Sequence, residues 1–412
     1  MRDMIPMNHA PNGTFCRGCD RIGLRCGRLI AMTASSSRVF GAALALAASL
    51  AAQPVAAQDA KNVQSQKHAF RLVTLARGLE HPWSIAWLPD GRMLVTEREG
   101  RLRIVSRDFK IDPRPIEGVP RVVARSQGGL FDVVLHPKYA ENGWIYLAYN
   151  GAGKGGHGTE LLRARLKDHQ LVDSEVLFRL EPKSSTHQHF GGRIAFDRQG
   201  FLYLGLGDRR EQDRAQRLDD HAGSMIRLHD DGRVPADNPF VKRNGARPEI
   251  FAFGIRNIQG AALHPQTGEL WAHEHGPQGG DEINVMRPGR NYGWPVITYG
   301  VNYGVGTRIG EGTHKAGMEQ PLYHWTPSIA PSGMAFYQGD RFANWRGNLF
   351  VGALAGQMLV RLELSGEKVI AEEQLLKNAI GRIRDVRVGP DGLIYLLSDE
   401  SNGVLARLEP QS

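Results

Sequence analysis

Two short motifs in this sequence place a chemically versatile residue directly before an apolar segment. In HFGGRIAFD (189–197) the first residue is His189, and in FGIRNIQG (253–260) the comparable place belongs to Arg256. Histidine can accept a proton near neutral pH, whereas arginine is a permanent cation that can polarise a carbonyl group. A base and a fixed cation at matching points of two similar segments predict one site where the segments converge.

Other polar residues stand at comparable points along the chain. Gln127, Asn257, Arg382 and Arg384 each lie next to the start of an apolar run. Arg382 and Arg384 are two residues apart, which places both side chains on one face of an extended segment. Asp208 ends the hairpin that follows the histidine motif, and its carboxylate could accept the imidazole N–H and hold its tautomer. His187 is a competing candidate for the base, but it lies farther from the glycine pair.

A recurring hairpin unit must position these residues. Each copy has an apolar strand, a turn with Pro, Asp, Asn or Gly, and a second apolar strand. The copies are IAWLPDGRMLVTE (85–97), VVLHPKYAENGWIYLAY (133–149), IAFDRQGFLYLGLGD (194–208), AALHPQTGELWAHE (261–274), MAFYQGDRFANWRGNLFVGAL (334–354) and VRVGPDGLIYLLSD (386–399). Six such units predict an all-β fold, a six-bladed β-propeller. A β-sandwich would also explain many strands, but not six similar hairpins.

The N-terminal segment differs from the rest of the chain. The apolar run 39–52 follows Arg38 and ends near Ala57, as in a secretory signal peptide that is removed. We therefore expect 1–57 to be a signal region, with 1–31 contributed by a misassigned start codon. Residues 58–67 would form a loose polar arm, and 68–412 a single catalytic propeller. This organisation predicts a periplasmic protein with no stable membrane anchor.

Charge and cysteine content narrow the classes of function. The formal net charge is +8, but 1–57 contains six arginines and two acids, so the remaining chain carries +4. No basic block is dense enough to indicate nucleic-acid binding. All three cysteines, Cys16, Cys19 and Cys26, lie in the predicted signal region. The exported chain would therefore have no disulfide and no haem-attachment motif.

Five motifs together carry a family resemblance over about residues 70–410. They are HFGGRIAFD, GIRNIQGAALHP, EHGPQGGDEINVM, NYGWP and RIRDVRVGPDG, in this order. The chain resembles the soluble aldose sugar dehydrogenases that use pyrroloquinoline quinone (PQQ), and more distantly soluble quinoprotein glucose dehydrogenase. The resemblance implies oxidation of the C1 hydroxyl of aldoses to lactones. Hydride would pass to the quinone, and electrons to an external acceptor, a cytochrome or a quinone.

The resemblance also implies roles for individual residues. His189 would be the general base and Arg256 would contact the reactive carbonyl of PQQ. Gln127 and Asn257 would hydrogen-bond the quinone system, and Arg382 and Arg384 would bind its carboxylates, since arginine pairs suit planar carboxylates. The related glucose dehydrogenase has a cofactor lysine in its fifth blade. Here Ala355 stands in that region and offers only backbone or contact surface.

Two calcium sites follow from the same resemblance. The carbonyls of Gly276 and Pro277 would bind the calcium of the cofactor, because hard cations prefer oxygen ligands. Glu282, together with the backbone of Tyr292, would hold a second, structural calcium. We expect a monomer or dimer that binds an aldose.

Two other functions remain open from the residues alone. A propeller lactonase would need calcium and a water nucleophile among carboxylates and amides, whereas the channel positions here carry arginines. A propeller used only as a binding module would explain the repeats but not His189 and Arg256. For stacking against a sugar ring, Trp325 and Tyr337 are the aromatic candidates.

Overall fold

Apolar runs separated by tight turns form strands throughout residues 59–411, which are the residues that the computed structural model describes. The turns follow the expected chemistry. The carboxylates of Asp90 and Asp391 each accept a hydrogen bond from the backbone N–H two residues ahead. The following residues, Gly91 and Gly392, have φ of 83° and 74°, a conformation that glycine adopts without strain. The Pro-Asp-Gly hairpins predicted from sequence are therefore present.

The strands form six antiparallel sheets within the described residues, and β1 (Ala60–Gln64) and β2 (Ala69–Leu79) belong to the sheet of the last blade. The first blade contains β3 (Pro82–Trp87), β4 (Met93–Glu97) and β5 (Arg101–Val105). The second contains β6 (Leu130–Leu135), the one-turn helix α1 (Tyr139–Asn142), β7 (Trp144–Gly153), β8 (Gly156–Lys167) and β9 (Gln170–Arg179). The third contains β10 (Gly191–Phe196), β11 (Leu202–Leu206), β12 (Ser224–Leu228) and β13 (Ile250–Phe253), with a 3-10 turn at Gln212–Gln216.

The remaining three blades repeat this plan. The fourth contains β14 (Ile258–Leu263), β15 (Leu270–Glu274), β16 (Asp281–Val285) and β17 (Tyr323–Trp325). The fifth contains β18 (Pro331–Phe336), a 3-10 turn at Ala343–Trp345, β19 (Leu349–Ala353), β20 (Met358–Ser365) and β21 (Lys368–Leu375). The sixth contains β22 (Ile383–Val388), β23 (Ile394–Ser398) and β24 (Gly403–Pro410).

The first strands of the blades form a closed ring. β3, β6, β10, β14 and β18 each contact the first strand of the next blade, and β22 contacts β3. β2 pairs with β24, so the N-terminal strand completes the last blade and joins the two ends of the ring. The prediction of a six-bladed β-propeller is confirmed.

The N-terminal arm differs from its prediction. Residues 58–67 were expected to be loose, but β1 pairs with β2 in a regular ladder from Ala60↔Val73 to Gln64↔Ala69. The backbone of an edge strand can pair with any sequence that extends beside it, so polar side chains do not prevent the pairing. The predicted signal region, 1–57, lies outside the described residues. Within those residues, no helix combines the length and apolarity that crossing a bilayer requires.

A β-bulge interrupts the start of every innermost strand. Register shifts occur between Pro82 and Ser84, and at the equivalent points of the other five blades. A bulge bends its strand and redirects the neighbouring side chains. Six of the selected residues lie at or just before the bulges of four blades: Gln127, His189, Arg256, Asn257, Arg382 and Arg384.

The ring also encloses a buried ionic network. Arg193, fully buried on β10, donates to Asp132 at 3.3 Å and to Asp385 at 3.0 Å. Arg387 donates to the same two carboxylates at 2.8 and 2.9 Å. The two cations and two anions come from three blades. Such charges stabilise a fold only when they neutralise one another, so this network fixes the relative positions of these blades.

Candidate active site

The backbone before β10 positions His189 at the edge of the ring. His189 has φ of 50°, and Gly191 and Gly192 have φ of 67° and 103°. A Cβ atom on Gly191 would lie 2.3 Å from the carbonyl oxygen of Gly205, and one on Gly192 would lie 2.7 Å from the Phe131 ring. The two glycines of the motif are therefore required by close packing as well as by conformation.

A hydrogen bond to Asp208 orients the His189 ring. The distance from Nδ1 of His189 to Oδ1 of Asp208 is 2.6 Å, and both residues are buried. A carboxylate can only accept, so Nδ1 carries the proton and Nε2 of the neutral ring is left as the acceptor. This confirms the predicted contact between the two residues and assigns the nitrogen that is able to take a proton.

The surroundings keep the His189 ring neutral. Burial is the main cause that lowers the pKa of His189 below its ordinary value near 6.5, and Asp208 opposes this effect. Arg256 and Arg210 lower the pKa further through their positive charges. These effects favour the neutral imidazole, the form that could accept a proton.

Two amides brace the backbone on either side of the His189 ring. Oε1 of Gln127 accepts from the backbone N–H of His189 at 2.8 Å, and Oδ1 of Asn257 accepts from the N–H of Gly191 at 3.0 Å. Both amides also line the cavity described below. Because their oxygen atoms bond the protein, it is their NH2 groups that could donate to a bound molecule.

Backbone carbonyls hold Arg256 close to His189 and Asp208. Its Nη1 donates to the carbonyl oxygens of His275 and Gly276, at 3.0 and 2.7 Å. The carboxylate of Glu274 accepts from the backbone N–H of Arg256. The guanidinium lies 5.3 Å from the centre of the Trp294 ring. These contacts fix a buried cation whose electrostatic influence reaches His189.

A cavity of about 220 Å³ lies beside these residues. Phe190 and Gly191 line it directly after His189. Its polar wall contains the arginines Arg98, Arg382 and Arg384, the amides Gln127, Asn257 and Gln259, and the carboxylate of Asp399; its aromatic wall contains Trp83, Phe131 and Phe190. The wall thus presents three cations, one carboxylate and three aromatic rings, a combination that favours planar anions.

Arg382 and Arg384 both line this cavity, but their backbone geometry differs from the prediction. Arg382 lies just before β22, and Arg384 lies within the bulge between Ile383 and Asp385. The pair is therefore not on one face of a regular strand. Arg384 donates to Gln259 at 3.1 Å and to Asp399 at 2.7 Å, and its Nε atom is buried with no partner among residues 59–411.

The Gly276-Pro277 turn is held by an aspartate. Oδ1 of Asp281 accepts from the backbone N–H of Gly276 at 2.8 Å, and Oδ2 accepts from those of Ile329 and Ala330. The carbonyl of Gly276 accepts from Arg256, and that of Pro277 accepts from the Ser328 hydroxyl at 3.2 Å. A carbonyl oxygen has two lone pairs, so each of these keeps one for a further ligand.

Glu282 is a buried carboxylate with little compensation. It lies opposite Glu274 in the ladder of β15 and β16, and it accepts a hydrogen bond from the Asn284 side chain at 3.4 Å. Burial, reinforced by Asp281, raises the pKa of Glu282 to about 8, although Asn284 opposes the shift. No hydrogen bond in the described region joins Glu282 to Tyr292, whose hydroxyl bonds the backbone N–H of Arg287.

Comparison with known proteins assigns the chain to a family. The family model described as Glucose / Sorbosone dehydrogenase matches residues 79–407, nearly all of the propeller. The chain belongs to the glucose/sorbosone dehydrogenase family. It is similar to the aldose sugar dehydrogenase YliI of Escherichia coli (strain K12), with 46% identity over 340 residues that cover 81% of this chain and 91% of that protein.

Solved structures support the same assignment to the glucose/sorbosone dehydrogenase family. The apo-form of the soluble aldose sugar dehydrogenase from Escherichia coli matches with a TM-score of 0.81 and 45% identity, over 83% of this chain and 100% of that one. The PQQ-bound form of aldose sugar dehydrogenase from Streptomyces coelicolor matches with a TM-score of 0.69 and 28% identity, over 87% and 100%. The predicted family and the prediction of a sugar dehydrogenase are confirmed.

Several predicted residues of this family member are not part of the cavity wall, and His189, Asp208 and Arg256 are among them. Ala355 is exposed, and it is Leu354 that lines the cavity, because the chain turns away after β19. His187 stacks on the His157 ring at 4.7 Å. Trp325 and Tyr337 are 6% and 0% exposed, so they are core residues and not available to stack against a sugar.

The sequence analysis of this dehydrogenase missed Arg98 in the cavity wall and Asp281 at the Gly276-Pro277 turn, and it missed three further residues. Glu274, Trp294 and Asp399 contact Arg256, Asp208 and Arg384, respectively. Each lies in a quoted motif or at the end of a quoted hairpin, so its position was a usable signal. Asp399 ends the sixth hairpin as Asp208 ends the third, and this parallel could have identified it.

Proposed function

We propose that this dehydrogenase oxidises the C1 hydroxyl of aldoses to lactones with PQQ and calcium as cofactors. The observation that carries the proposal is the neutral His189 ring, held by Asp208 next to Arg256 and directly before the arginine-lined cavity. A base, a fixed cation and a site for a flat anion are the parts that dehydrogenation of an alcohol requires.

The residues of the cavity fit PQQ, a flat molecule with three carboxylates. Arg98, Arg382 and Arg384 offer positive charge, and the aromatic wall offers surfaces for a planar ring system. The Nε atoms of Arg256 and Arg384 are buried without a hydrogen-bond partner among the described residues. Buried polar groups in folded proteins normally have partners, so these two N–H groups support a polar ligand. The PQQ-bound relative from Streptomyces coelicolor supports the same cofactor.

The residues also fit calcium. Gly276 and Pro277 present carbonyls that each keep a lone pair, and Glu282 is a buried carboxylate without a cationic partner in residues 59–411. Burying such a charge is costly unless a cation compensates it. We assign the carbonyl pair to the calcium at the cofactor and Glu282, with the backbone of Tyr292, to a second, structural calcium.

The chemistry divides between the cofactor and this chain. Bound PQQ supplies the two-electron acceptor for the hydride of the sugar. His189 accepts the proton of the C1 hydroxyl at Nε2, and Asp208 stabilises the imidazolium that results. Arg256 favours negative charge that develops on an acceptor oxygen. Gln127 and Asn257 hold the backbone around His189 and so preserve its orientation.

An external acceptor, either a cytochrome or a quinone, would take up the electrons. All three cysteines lie within 1–57, so the propeller has no cysteine with which to bind a haem covalently. We also propose that the signal region directs the chain to the periplasm, where aldose and acceptor would meet. The oligomeric state proposed is a monomer or a dimer.

Reconstitution tests the proposal. The purified protein is treated with a chelator, then supplied with PQQ, calcium or both, and reduction of an artificial electron-acceptor dye by glucose is recorded. We expect dye reduction only when both are present. Calcium-dependent hydrolysis of a lactone without PQQ would favour the lactonase, and inactivity in both assays would favour a binding module.

A further inference from the structure

Trp294, in the NYGWP motif after β16, is a buried residue with a rigid backbone. Its side chain is 6% exposed. Its backbone N–H donates to the carbonyl of Gly254 at 2.8 Å, and its carbonyl accepts from the Gln216 side chain at 2.7 Å. The indole is therefore fixed relative to the loop that carries Arg256, two residues beyond Gly254.

The indole N–H completes the hydrogen bonding of Asp208. Nε1 of Trp294 lies 2.8 Å from Oδ2 of Asp208. The other oxygen, Oδ1, accepts from His189 Nδ1 at 2.6 Å and from the backbone N–H of Arg210 at 2.7 Å. Asp208 is 1% exposed, so these three donors fix the plane of a carboxylate that has almost no contact with water.

The same indole also approaches the catalytic cation. The Arg256 guanidinium lies 5.3 Å from the centre of the Trp294 ring, within the range of a cation–π interaction. Trp294 thus contacts the partner of the proposed base through its N–H and the proposed cation through its ring.

We propose that Trp294 is a positioning residue that sets the proton affinity of His189 through Asp208. The proposal rests on the function proposed above, in which His189 is the base. A hydrogen bond to a carboxylate stabilises its negative charge and weakens its attraction for a neighbouring proton. Without the indole N–H, Oδ2 of Asp208 has no donor within residues 59–411, and Asp208 attracts the proton on Nδ1 of His189 more strongly. The affinity of Nε2 for a second proton then rises, because the imidazolium is better stabilised.

The sign of this effect takes account of every charge facing the pair. His189 faces Asp208, Arg256 and Arg210, and Asp208 also faces Glu274 and Arg209. Trp294→Phe retains the aromatic face toward Arg256 and changes none of these charges. Its direct effect is the loss of one N–H, so a change in the titration of His189 reports that bond.

The test uses the cofactor-free protein and NMR. The ring resonances of His189 are assigned by their absence in His189→Gln, and titrated in wild type, Trp294→Phe and Trp345→Phe. Trp345 is a matched control because it is 0% exposed and its Nε1 has no hydrogen-bond partner among residues 59–411. We expect the His189 midpoint to rise by about 0.5 to 1 pH unit in Trp294→Phe and to stay at the wild-type value in Trp345→Phe.

If Trp294→Phe does not fold, a measurement on the wild type still tests the proposal. The chain has seven tryptophans, and the indole N–H resonance of Trp294 should shift with pH at the same midpoint as His189, since both bonds end on Asp208. An indole resonance whose chemical shift does not change as His189 titrates would overturn the proposal. So would an unchanged His189 midpoint in a folded Trp294→Phe variant.

Turnover gives a third readout. With PQQ and calcium, the acid limb of the kcat–pH profile should shift upward by about 0.5 to 1 pH unit in Trp294→Phe with an unchanged cofactor titration, whereas Trp345→Phe should retain the wild-type profile. An equal shift in both variants would indicate a purely structural role and overturn the proposal. If wild type itself reduces no dye, the proposed function fails, while the NMR result still decides the role of Trp294.

Discussion

Nη2 of Arg384 donates to Oδ2 of Asp399 at 2.7 Å in the wall of the cavity. The other oxygen of Asp399 accepts from Nδ1 of His81 at 2.8 Å. Arg384 therefore meets any bound anion with part of its charge already neutralised and its orientation fixed. The affinity for an anion and the stability of the protein without cofactor both depend on this pair. Each property has its own measurement.

Asp399→Asn should destabilise the protein in a pH-dependent way. Burial opposes ionisation of Asp399, but Arg384, His81 and Arg98 hold its pKa well below the ordinary value near 3.8. A carboxyl with a depressed pKa contributes stability above its unfolded pKa and loses it as the pH falls toward its folded pKa. We expect a loss on the order of 2 kcal/mol at pH 7 that shrinks below pH 4. Denaturant unfolding at a series of pH values measures it, and a pH-independent loss would contradict it.

Arg382→Ala and Arg384→Ala should each weaken PQQ binding. Loss of a charged hydrogen bond costs roughly 1.5–3 kcal/mol, which shifts the cofactor titration about ten- to a hundredfold. Arg384→Ala should also lower thermal stability, because it removes a partner of the buried Asp399. Arg71→Ala, which removes a surface pair with Glu409, is the control. Wild-type titrations in both cavity variants would show that the arginines do not bind the cofactor.

His189→Ala should lower kcat at least about a hundredfold while PQQ titrates normally, because a general base acts in the chemical step. His187→Ala should have a much smaller effect, since its ring stacks on His157. In the wild type, the pKa of His189 lies below its ordinary value, so kcat should stay constant through neutral pH and fall as acid protonates the ring. Steady-state kinetics across pH measures both effects, and a reversed order of the two variants would refute the assignment.

Calcium should couple to PQQ binding at Gly276 and Pro277. These carbonyls carry no formal charge, so oxygen atoms of the cofactor must complete the ligand set and the two should bind cooperatively. After chelation, PQQ should bind poorly until calcium returns. Equal PQQ affinity with and without calcium would exclude this site.

Glu282→Gln should separate the structural calcium from the catalytic one. A ligand bound only by the native state stabilises it, so calcium should raise the Tm of wild type more than that of Glu282→Gln, while turnover at saturating calcium changes little. Glu363→Gln, which removes an ion pair with Lys67, should respond to calcium as wild type does. An identical calcium response of Glu282→Gln and wild type would refute the assignment.

Processing of the N-terminus should remove the signal region. N-terminal sequencing of protein recovered from the periplasm should begin close to Gln58, because Ala57 follows an apolar run with the length of a signal peptide. A mature protein that retains Cys16 would contradict the proposed export.

Local patterns in the sequence determined the fold class and the region of the site. Turn residues and apolar runs are short-range signals, so the six hairpins, and with them the propeller, could be predicted. The same patterns located His189, Arg256, Gln127, Asn257 and the arginines near Arg382, because blade symmetry assigns equivalent positions to one end of the ring. The contact between Asp208 and His189 could also be predicted, because both residues lie in one blade.

Contacts between blades were decided only by the tertiary structure. Trp294 reaches Asp208 across 86 positions of sequence, and Arg384 reaches Gln259 across 125. No local signal encodes such pairs, because they depend on where bulges turn each strand. Ala355 illustrates the same limit, because the residue that lines the cavity is its neighbour Leu354. The sequence by itself therefore determined which residue types reach the site, while blade packing decided which atoms meet and which side chains are core.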